Sequence, residues 1–396
     1  MKIALCCPAS LPATQFGGIL FLCVDLAKEF SKSNNNVTIY TTDLDFANNP
    51  NTFNRNLPRE EKIGNFSIKR THVWISFALF YMNFGMYSQM KKDEIDIIHT
   101  IGVRSFQSFI AALISKKKKI PLIIADQGGL TTHPELKNAG GFKKILYKIQ
   151  KPLIKFVINQ ATKIIVANEY ERQIFLEFNT ESKIELIKNG INLEQFNVEP
   201  CNLREKYKIN EPFILFLGRF NEVKGIDLLL LAIHQIKEKI IGKNIKFLIM
   251  GVDFGFQKKM LELIEQLEIK NLIKLIQNPS REEVIEAYKE CEFLVLPSRW
   301  ELSPLTPLEG FAFKKPVIST KTHGIPYTIM DNENCILVEP ENYKKIGDAM
   351  IELINDKDKI IKLGENGFSQ VNSECNSKVM AKRVFEVYQK ALNEFN

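Results

Sequence analysis

Short apolar runs alternate with segments of helical period along almost the whole chain. In the first half, the runs that predict strands cover residues 3–7, 37–41, 95–99, 122–125, 164–167 and 185–188. In the second half they cover residues 214–218, 247–251, 273–276, 293–297, 317–319 and 336–338. This alternation predicts an α/β protein whose mainly parallel sheets carry helices on both faces.

A polar segment rich in turn residues, 189–200, separates two sets of strands of similar size. Because 396 residues exceed one ordinary core, we expect two Rossmann-like domains, residues 1–190 and residues 191–374. Residues 375–396 are expected to form a C-terminal helix. One face of this helix would carry Met380, Val384, Val387, Tyr388 and Ala391.

Composition places the chain among globular proteins of a reducing compartment. Hydrophobic residues make up 45% and charged residues 25% of the chain, as in soluble folded proteins. The seven cysteines are scattered without a CxxC spacing, which argues against a disulfide framework or a zinc site. The chain opens on a strand rather than a secretory signal, so we expect a cytoplasmic protein.

An acid-free stretch lies between Glu135 and Glu169 in a chain of net charge +7. Within it, residues 142–158 place apolar residues at helical spacing between lysines that include Lys143, Lys144, Lys148 and Lys151. This pattern is typical of a basic amphipathic helix on an anionic membrane surface, although Pro152 interrupts it. A solvated helix face is the alternative. Nucleic acid is not expected as a partner, because arginines and interleaved aromatic residues are missing.

A second stretch, residues 71–90, contains no Asp, Glu, Lys or Arg and is rich in aromatic residues. Its length approaches the ~20 residues of a membrane-spanning helix. Its Ser, Asn, Gly and Gln content makes it a poor span. We therefore expect a core helix or the wall of an apolar groove.

Two acids stand eight residues apart, Glu301 and Glu309, between the apolar runs 293–297 and 316–319. Ligands of open parallel sheets bind outside the carboxyl ends of the strands, so we expect both acids to face one crevice. Two exposed surface charges are the alternative.

Basic residues follow the first strand of the second half in the same way. Arg219 comes directly after the strand and Lys224 precedes the next helix, where both can reach a phosphate above the sheet. Near the N-terminus, Gly17 and Gly18 open a helix, and the free amides of a helix start favour anions. Together these residues describe a pocket with cations for a diphosphate and carboxylates for sugar hydroxyls.

The same residues carry a resemblance to a known family. Gly218-Arg219-x4-Lys224-Gly225, the Glu301–Glu309 pair, 315–318 (Lys-Pro-Val-Ile), 324–326 (Gly-Ile-Pro) and 189–190 (Asn-Gly) occur together. In this combination the chain resembles the retaining GT-B glycosyltransferases of family 4 over nearly its whole length. The resemblance implies two Rossmann-like domains facing each other across a cleft, with the C-terminal helix crossing back to the first domain.

The resemblance also implies roles for individual residues. Arg219 and Lys224 would hold the donor diphosphate, Glu301 a sugar hydroxyl and Glu309 the ribose hydroxyls. The backbone amides of Leu305 and Thr306 would contact phosphate, and Gly17 and Gly18 would let the diphosphate approach the first domain. Arg219, Lys224 and Glu301 are therefore the candidate catalytic residues.

The sequence departs from the family pattern at two places. Pro304 stands where many members have glycine. The segment Asp126-Gln127-Gly128 occupies the region where many members carry a histidine, so that Gln127 takes the histidine position. His133 is a candidate substitute, and Asp126, Gln127 and His133 together mark the expected acceptor and proton-transfer region. His99 is expected to be structural.

The expected reaction is transfer of a sugar from a nucleotide-diphosphate donor, with a UDP-sugar favoured, to an acceptor hydroxyl with retention of configuration. We expect no metal and no cofactor, because cations and helix N-termini can neutralise the leaving diphosphate. The basic stretch suggests a lipid-linked saccharide acceptor in surface polysaccharide, glycolipid or glycoprotein assembly, on the cytoplasmic face of a membrane. The alternatives are a nucleotide-sugar epimerase and a catalytically silent sugar-nucleotide-binding subunit. A glycosidase with two catalytic carboxylates is rejected, because it would not need the Arg219–Lys224 clamp.

Overall fold

The computed structural model describes residues 1–46, 52–77, 80–128, 130, 132, 134 and 141–395, with the backbone alone at 77 and 141–149. These residues form two compact α/β units. Unit 1 comprises Met1–Gly190 with Ser377–Asn396, and unit 2 comprises Ile191–Asn376. Each unit has its own parallel sheet with helices, as the alternating pattern predicts.

The elements of unit 1 follow the predicted order, with additions. Its strands are β1 Lys2–Cys6, β2 Asn36–Thr42, β3 Glu60–Ile63, β4 Phe66–Thr71, β5 Ile75–Phe77, β6 Phe80–Met82, β7 Ile97–Ile101, β8 Leu122–Ala125, β9 Lys163–Val166 and β10 Ile184–Leu186. Its first five helices are α1 Gly18–Lys32, α2 Gly85–Lys92, α3 Phe106–Lys118, α4 Gly141–Gln160 and α5 Glu169–Leu176. Single 3-10 turns lie at Thr14–Phe16 and Glu181–Lys183.

Eight of these strands form one sheet in the order β10-β9-β8-β7-β1-β2-β4-β3. All neighbours are parallel except β3, which runs antiparallel to β4 at the edge. β5 and β6 form a separate antiparallel hairpin. Because the parallel strands share one direction, the loops after β1, β7, β8 and β9 leave the same edge of the sheet.

Unit 2 is built on six parallel strands in the order β13-β12-β11-β14-β15-β16. They are β11 Phe213–Leu217, β12 Lys246–Gly251, β13 Ile273–Gln277, β14 Leu294–Leu296, β15 Val317–Thr320 and β16 Cys335–Val338. The helices are α6 Leu203–Tyr207, α7 Ile226–Ile240, α8 Gln257–Gln266, α9 Arg281–Glu290, α10 Leu305–Ala312, α11 Ile325–Thr328, α12 Tyr343–Asn355 and α13 Lys357–Ser373. Single 3-10 turns lie at Leu193–Phe196, Glu222–Lys224, Ile241–Lys243 and Lys270–Leu272.

The inner strands of unit 2 are mainly apolar because both faces of the sheet are covered. Successive side chains of a strand point to opposite faces. On β11, Ile214 and Phe216 belong to the core on one face, whereas Phe213 and Leu215 belong to the core on the other. A parallel sheet buried on both sides therefore reads as continuous apolar runs, which is why these strands were predictable.

The C-terminal helix, α14 Ser377–Phe395, belongs to unit 1, where it packs against α1. Its buried residues include all five residues of the predicted apolar face, so this is the face that the helix buries. Tyr388 is fully buried, and its hydroxyl lies 2.7 Å from His99 Nδ1 on β7. The chain thus returns from unit 2 to complete unit 1.

The segment 71–90 is not the expected core helix. It forms the β5–β6 hairpin followed by the short helix α2, and it exposes Trp74 by 65%, Ile75 by 50% and Phe84 by 48%. The polar residues of the segment, Asn83 among them, divide it into short elements. Strand β4 was also missed, because its alternating burial at the sheet margin leaves only Phe66, Ile68 and Arg70 inside.

The predicted basic helix exists as α4, and Pro152 lies within it. The side chains of Lys143, Lys144 and Lys148 lie outside the described residues. Lys151 is exposed, whereas Val157 and Ile158 are buried. Among the helices that the structure describes, none combines the length and the apolar character needed to cross a bilayer.

Candidate active site

A pocket opens at the carboxyl edge of the unit-2 sheet. Its walls come from the ends of β11, β14 and β15 and from the loops that follow them. The lining residues are Phe216, Leu217, Lys224, Leu296, Ser298, Glu301, Pro304, Thr306, Pro307, Ser319 and Ile325. This is the position where open parallel sheets bind ligands.

The loop between β11 and α7 places Lys224 in this pocket. Asn221 accepts a hydrogen bond from the Lys224 amide (3.2 Å) and thereby caps the 3-10 turn. Gly225 follows with φ of +66°, and a β-carbon there would lie 2.0 Å from the Pro297 carbonyl oxygen. Only glycine allows both this left-handed conformation and this close approach to the end of β14.

Lys224 and Glu301 form an ion pair inside the pocket, through Nζ and Oε1. Ser298 Oγ lies 3.3 Å from the same carboxylate oxygen. The two charged side chains are 26% and 15% exposed, so water screens them only partly. One cation and one carboxylate are therefore held side by side within reach of a ligand.

The first turn of α10 adds backbone donors to this pocket. The first amides of an α-helix have no partner within the helix. Those of α10 come from Leu305 and Thr306, since Pro307 has no N–H and no side chain caps the helix at Pro304. The positive end of the helix dipole favours an anion at this point.

Glu309 lies on the second turn of α10 and faces α9. It is 8% exposed. Its Oε1 accepts from Arg281 Nη2 at 2.5 Å and its Oε2 accepts from the Tyr288 hydroxyl at 2.8 Å. Burial and the Glu309 charge raise the pKa of Tyr288 well above its usual value, so this hydroxyl stays a donor. The described residues that line the pocket therefore include Glu301 but not Glu309.

Arg219 lies two residues after β11, and its guanidinium carbon lies 4.9 Å from the centre of the Phe254 ring. It stands outside the pocket lining, although its sequence position places it at the same sheet edge. Of the two residues expected to hold the diphosphate, Lys224 therefore lines the pocket, whereas Arg219 packs over the ring of Phe254.

In unit 1, the predicted glycines stand where a helix begins. Gly17 adopts φ of +92° as the N-cap of α1, and Gly18 is the first helical residue. Leu20 donates its amide to the Gly17 carbonyl (3.1 Å). The conformation of Gly17 is open to glycine and disfavoured for other residues.

The loop after β8 carries Asp126 and Gln127, while His133 lies outside the described residues. Gln127 has φ of +56°. Its side-chain amide exchanges two hydrogen bonds of 2.9 Å with that of Asn189. Below it, Glu171 is fully buried, and burial together with the charge of Asp126 raises the pKa of Glu171 to about 7. Burial lowers the pKa of His99 to about 3, in keeping with a structural histidine.

Comparisons with known proteins agree with this arrangement. The profile of the glycosyl transferases group 1 matches residues 202–370, and that of glycosyltransferase family 4 matches residues 16–195. An uncharacterized glycosyltransferase of Methanocaldococcus jannaschii, MJ1178, is 31% identical over 286 residues, which cover 70% of this chain and 71% of that protein. The chain belongs to the GT-B glycosyltransferases of family 4.

Three further proteins are similar to this glycosyltransferase. The capsular polysaccharide biosynthesis glycosyltransferase CapM of Staphylococcus aureus is 27% identical over 72% of this chain and 74% of its own length. Sucrose-phosphate synthase of Thermosynechococcus elongatus has the same fold, with a TM-score of 0.77, 18% identity and full coverage of both chains. The complex of Anabaena HepE with UDP-glucose superposes with a TM-score of 0.76, 15% identity and coverage of 98% and 100%.

Three residues of this glycosyltransferase were missed from sequence. Arg281 and Tyr288 hold Glu309, and Glu171 lies beneath Gln127. A Ser-x-x-Glu capping box at 280–283 places the start of α9 at Arg281, which is a signal for the helix. The partners of these side chains are distant in sequence, so no local pattern reveals their contacts.

Proposed function

We propose that this glycosyltransferase moves a sugar from a nucleoside diphosphate donor to an acceptor hydroxyl with retention of configuration, and that the donor is a UDP-sugar. The observation that carries the proposal is the Lys224–Glu301 pair beside the open amides of α10. A diphosphate would supply negative charge to the open amides of α10 and to Lys224. The UDP-glucose complex of HepE, which has the same fold, supports a sugar nucleotide as donor.

In this proposal, Lys224 exchanges its partner within the pocket when the donor binds. In the structure, Lys224 pairs with Glu301. A diphosphate placed against Lys224 and the amides of Leu305 and Thr306 takes over the lysine, which frees the Glu301 carboxylate to accept a hydroxyl of the sugar. The two side chains of the pair would thus bind two parts of the donor.

Glu309 retains acceptor capacity for the ribose hydroxyls. Each carboxylate oxygen has about two lone-pair sites. Arg281 and Tyr288 occupy one site on each oxygen. The remaining sites can accept from a diol, and the two donors hold the carboxylate in a single orientation.

In the proposed reaction, the bond between the anomeric carbon and the β-phosphate oxygen breaks as the acceptor oxygen bonds to that carbon. Lys224, Arg219 and the N-terminus of α10 stabilise the negative charge that develops on the diphosphate. The acceptor hydroxyl gives its proton to the departing diphosphate. Gln127, at the position where many members carry a histidine, cannot take this proton because its amide does not titrate. No metal is required for this charge balance. Stabilisation of developing charge by one preorganised donor is worth ~10²–10³ in rate.

The test uses a thermal-shift screen of UDP-, GDP- and ADP-sugars, followed by assays of nucleotide release and product configuration. We expect Lys224→Ala to reduce turnover by ~10²–10³. Lys258→Ala, at a lysine 92% exposed, is the control and should behave as wild type. Equal turnover by both variants would contradict the role of Lys224. Conversion of donor alone to an epimer, or donor binding with no turnover across an acceptor panel, would contradict transfer.

We further propose a lipid-linked saccharide acceptor in surface polysaccharide, glycolipid or glycoprotein assembly. The similarity to CapM, named for capsular polysaccharide biosynthesis, supports this class of product. Exposed Trp74, Ile75 and Phe84 together with Lys151 on α4 support contact with an anionic membrane. The protein would then work at the cytoplasmic face of that membrane.

Flotation with vesicles that contain anionic lipid tests the membrane proposal. Changing Lys143, Lys144, Lys148 and Lys151 to Glu should abolish binding at low salt, because each basic residue contributes ~1 kcal/mol near such a surface. The control carries the same charge change at exposed unit-2 lysines (Lys258, Lys270, Lys314 and Lys345). Equal loss of binding in both variants would indicate a nonspecific charge effect and end the proposal.

A further inference from the structure

Two buried carboxylates outside the donor pocket organise the loop that follows β8. Asp126 is 1% exposed, and its Oδ2 accepts from the amides of Gly128 (3.2 Å) and Leu130 (2.7 Å). The loop therefore turns around a carboxylate instead of continuing the strand. Gln127 and Gly128, both partly exposed, form the tip of this turn.

The second carboxylate, Glu171, joins this loop to the end of the neighbouring strand. It is 1% exposed and lies in the first turn of α5. Its Oε1 accepts from the Gln127 amide at 3.1 Å, and its Oε2 accepts from the Ala167 amide, just after β9, at 2.6 Å. Because an ionised carboxylate only accepts, it satisfies both amides at once in that form. A carboxamide would direct an N–H₂ group at one of them.

The conformation of Gln127 requires such support. A φ of +56° is unfavourable for a residue with a β-carbon and persists only where surrounding contacts hold it. Glu171 binds the Gln127 amide from below, and Asn189 binds its side chain through two hydrogen bonds. The Gln127 side chain is thus a further structural contact, and the tip is held at both backbone and side chain.

We propose that Glu171 is a positioning residue for sugar transfer, because it holds the Gln127–Gly128 tip at the carboxyl edge of the unit-1 sheet, where the acceptor would bind. This inference rests on the proposed transferase function. Glu171 is too deeply buried to touch a substrate and acts only through the loop. Its loss should therefore slow transfer while leaving nucleotide binding by unit 2 unchanged.

The test compares Glu171→Gln with Glu169→Gln. Glu169 stands in the same turn of α5, but its carboxylate is 38% exposed and pairs with Arg172. Three quantities are measured in the full chain: the amide exchange of Gln127 and Ala167, the Kd of UDP, and nucleotide release from the sugar nucleotide that wild type turns over. For Glu171→Gln we expect exchange about tenfold faster or more, an unchanged Kd and turnover reduced about tenfold or more. Glu169→Gln should match wild type in all three.

Each outcome decides a separate point. Unchanged exchange at Gln127 would show that Glu171 does not hold the loop, and faster exchange with unchanged turnover would show that the held loop does not assist transfer. Either result overturns the inference. Absence of turnover in wild type would instead overturn the proposed function, while the exchange comparison would still show whether Glu171 holds the loop. If Glu171→Gln loses the protection of β1 and β7, Glu171→Asp replaces it, with the same expected results, because its shorter side chain withdraws the carboxylate from both amides without adding an N–H₂ group.

Discussion

At the scale of residues, the two acids of the Glu301–Glu309 pair differ because their neighbours differ. Glu301 shares the pocket with Lys224 and can exchange that partner for a ligand. Glu309 is fixed by Arg281 and Tyr288 on another helix. The sequence spacing does not distinguish the two acids. In the structure, Glu301 belongs to an ion pair in the pocket and Glu309 to a buried hydrogen-bond network.

Glu171 leads to a prediction about pH and stability. Its pKa of about 7 in the folded protein lies above the ordinary value near 4.5, mainly because of burial. Between about pH 4.5 and pH 7 the folded state retains a proton that the unfolded state loses. This group therefore lowers the free energy of unfolding as pH rises through that window, by up to ~3 kcal/mol.

Urea unfolding of wild type and Glu171→Gln at pH 5, 6, 7 and 8 measures this contribution. Wild type should lose stability relative to the variant between pH 5 and pH 7, and the difference should become constant above pH 7. Glu169→Gln provides the control, since the Glu169 side chain is 38% exposed and pairs with Arg172. A constant difference between wild type and Glu171→Gln across the whole range would show that Glu171 does not titrate in this window.

At the scale of elements, α14 shows how one helix is held on unit 1. Its apolar face packs against α1, and Lys163 and Lys390 form ion pairs along its length with Glu394 and Glu185. The Lys390–Glu185 pair is largely exposed, and such pairs contribute little to stability. The contact between Tyr388 and His99 is a fully buried polar interaction of this helix.

We predict that Tyr388→Phe lowers the free energy of unfolding by about 1–3 kcal/mol, because His99 Nδ1 is then buried without a partner. Thermal and urea unfolding measure the loss. Tyr343→Phe, at a half-buried tyrosine of unit 2, is the matched control and should change stability by less than ~0.5 kcal/mol. Equal values for the two variants would show that the His99 contact contributes nothing specific.

At the scale of the whole molecule, the proposed donor residues with pocket contacts belong to unit 2, whereas the loop held by Glu171 belongs to unit 1. A nucleotide without its sugar is therefore expected to protect unit 2 first. At a UDP concentration of 100 Kd, linkage adds ~2.7 kcal/mol to the stability of the state that binds.

Hydrogen exchange with and without UDP tests this division. Protection should increase in the segments 216–225 and 298–309, which carry Lys224 and the start of α10. Exchange in β8 and β9 of unit 1 is the internal reference and should change little. Protection confined to unit 1 would contradict a donor site built on Lys224, and Lys224→Ala should reduce the unit-2 effect.

The sequence alone determined the α/β class, the two sets of parallel strands and the final helix. These follow from local rules, because a strand buried on both faces must be apolar throughout and a packed helix must repeat at 3.6 residues. It also determined which loops carry polar residues at the carboxyl ends of strands, which placed Lys224 and Glu301 at one edge. The marginal strand β4 and the β5–β6 hairpin gave weaker signals because their burial alternates or is incomplete.

Only the tertiary structure decided which side chains meet. The Lys224–Glu301, Arg281–Glu309 and Gln127–Glu171 contacts join residues 77, 28 and 44 positions apart. Such contacts depend on strand order and helix orientation, which many distant residues set together. The chemistry of a residue can therefore be read from its type and its local pattern. Its partner, burial and pKa come from the fold.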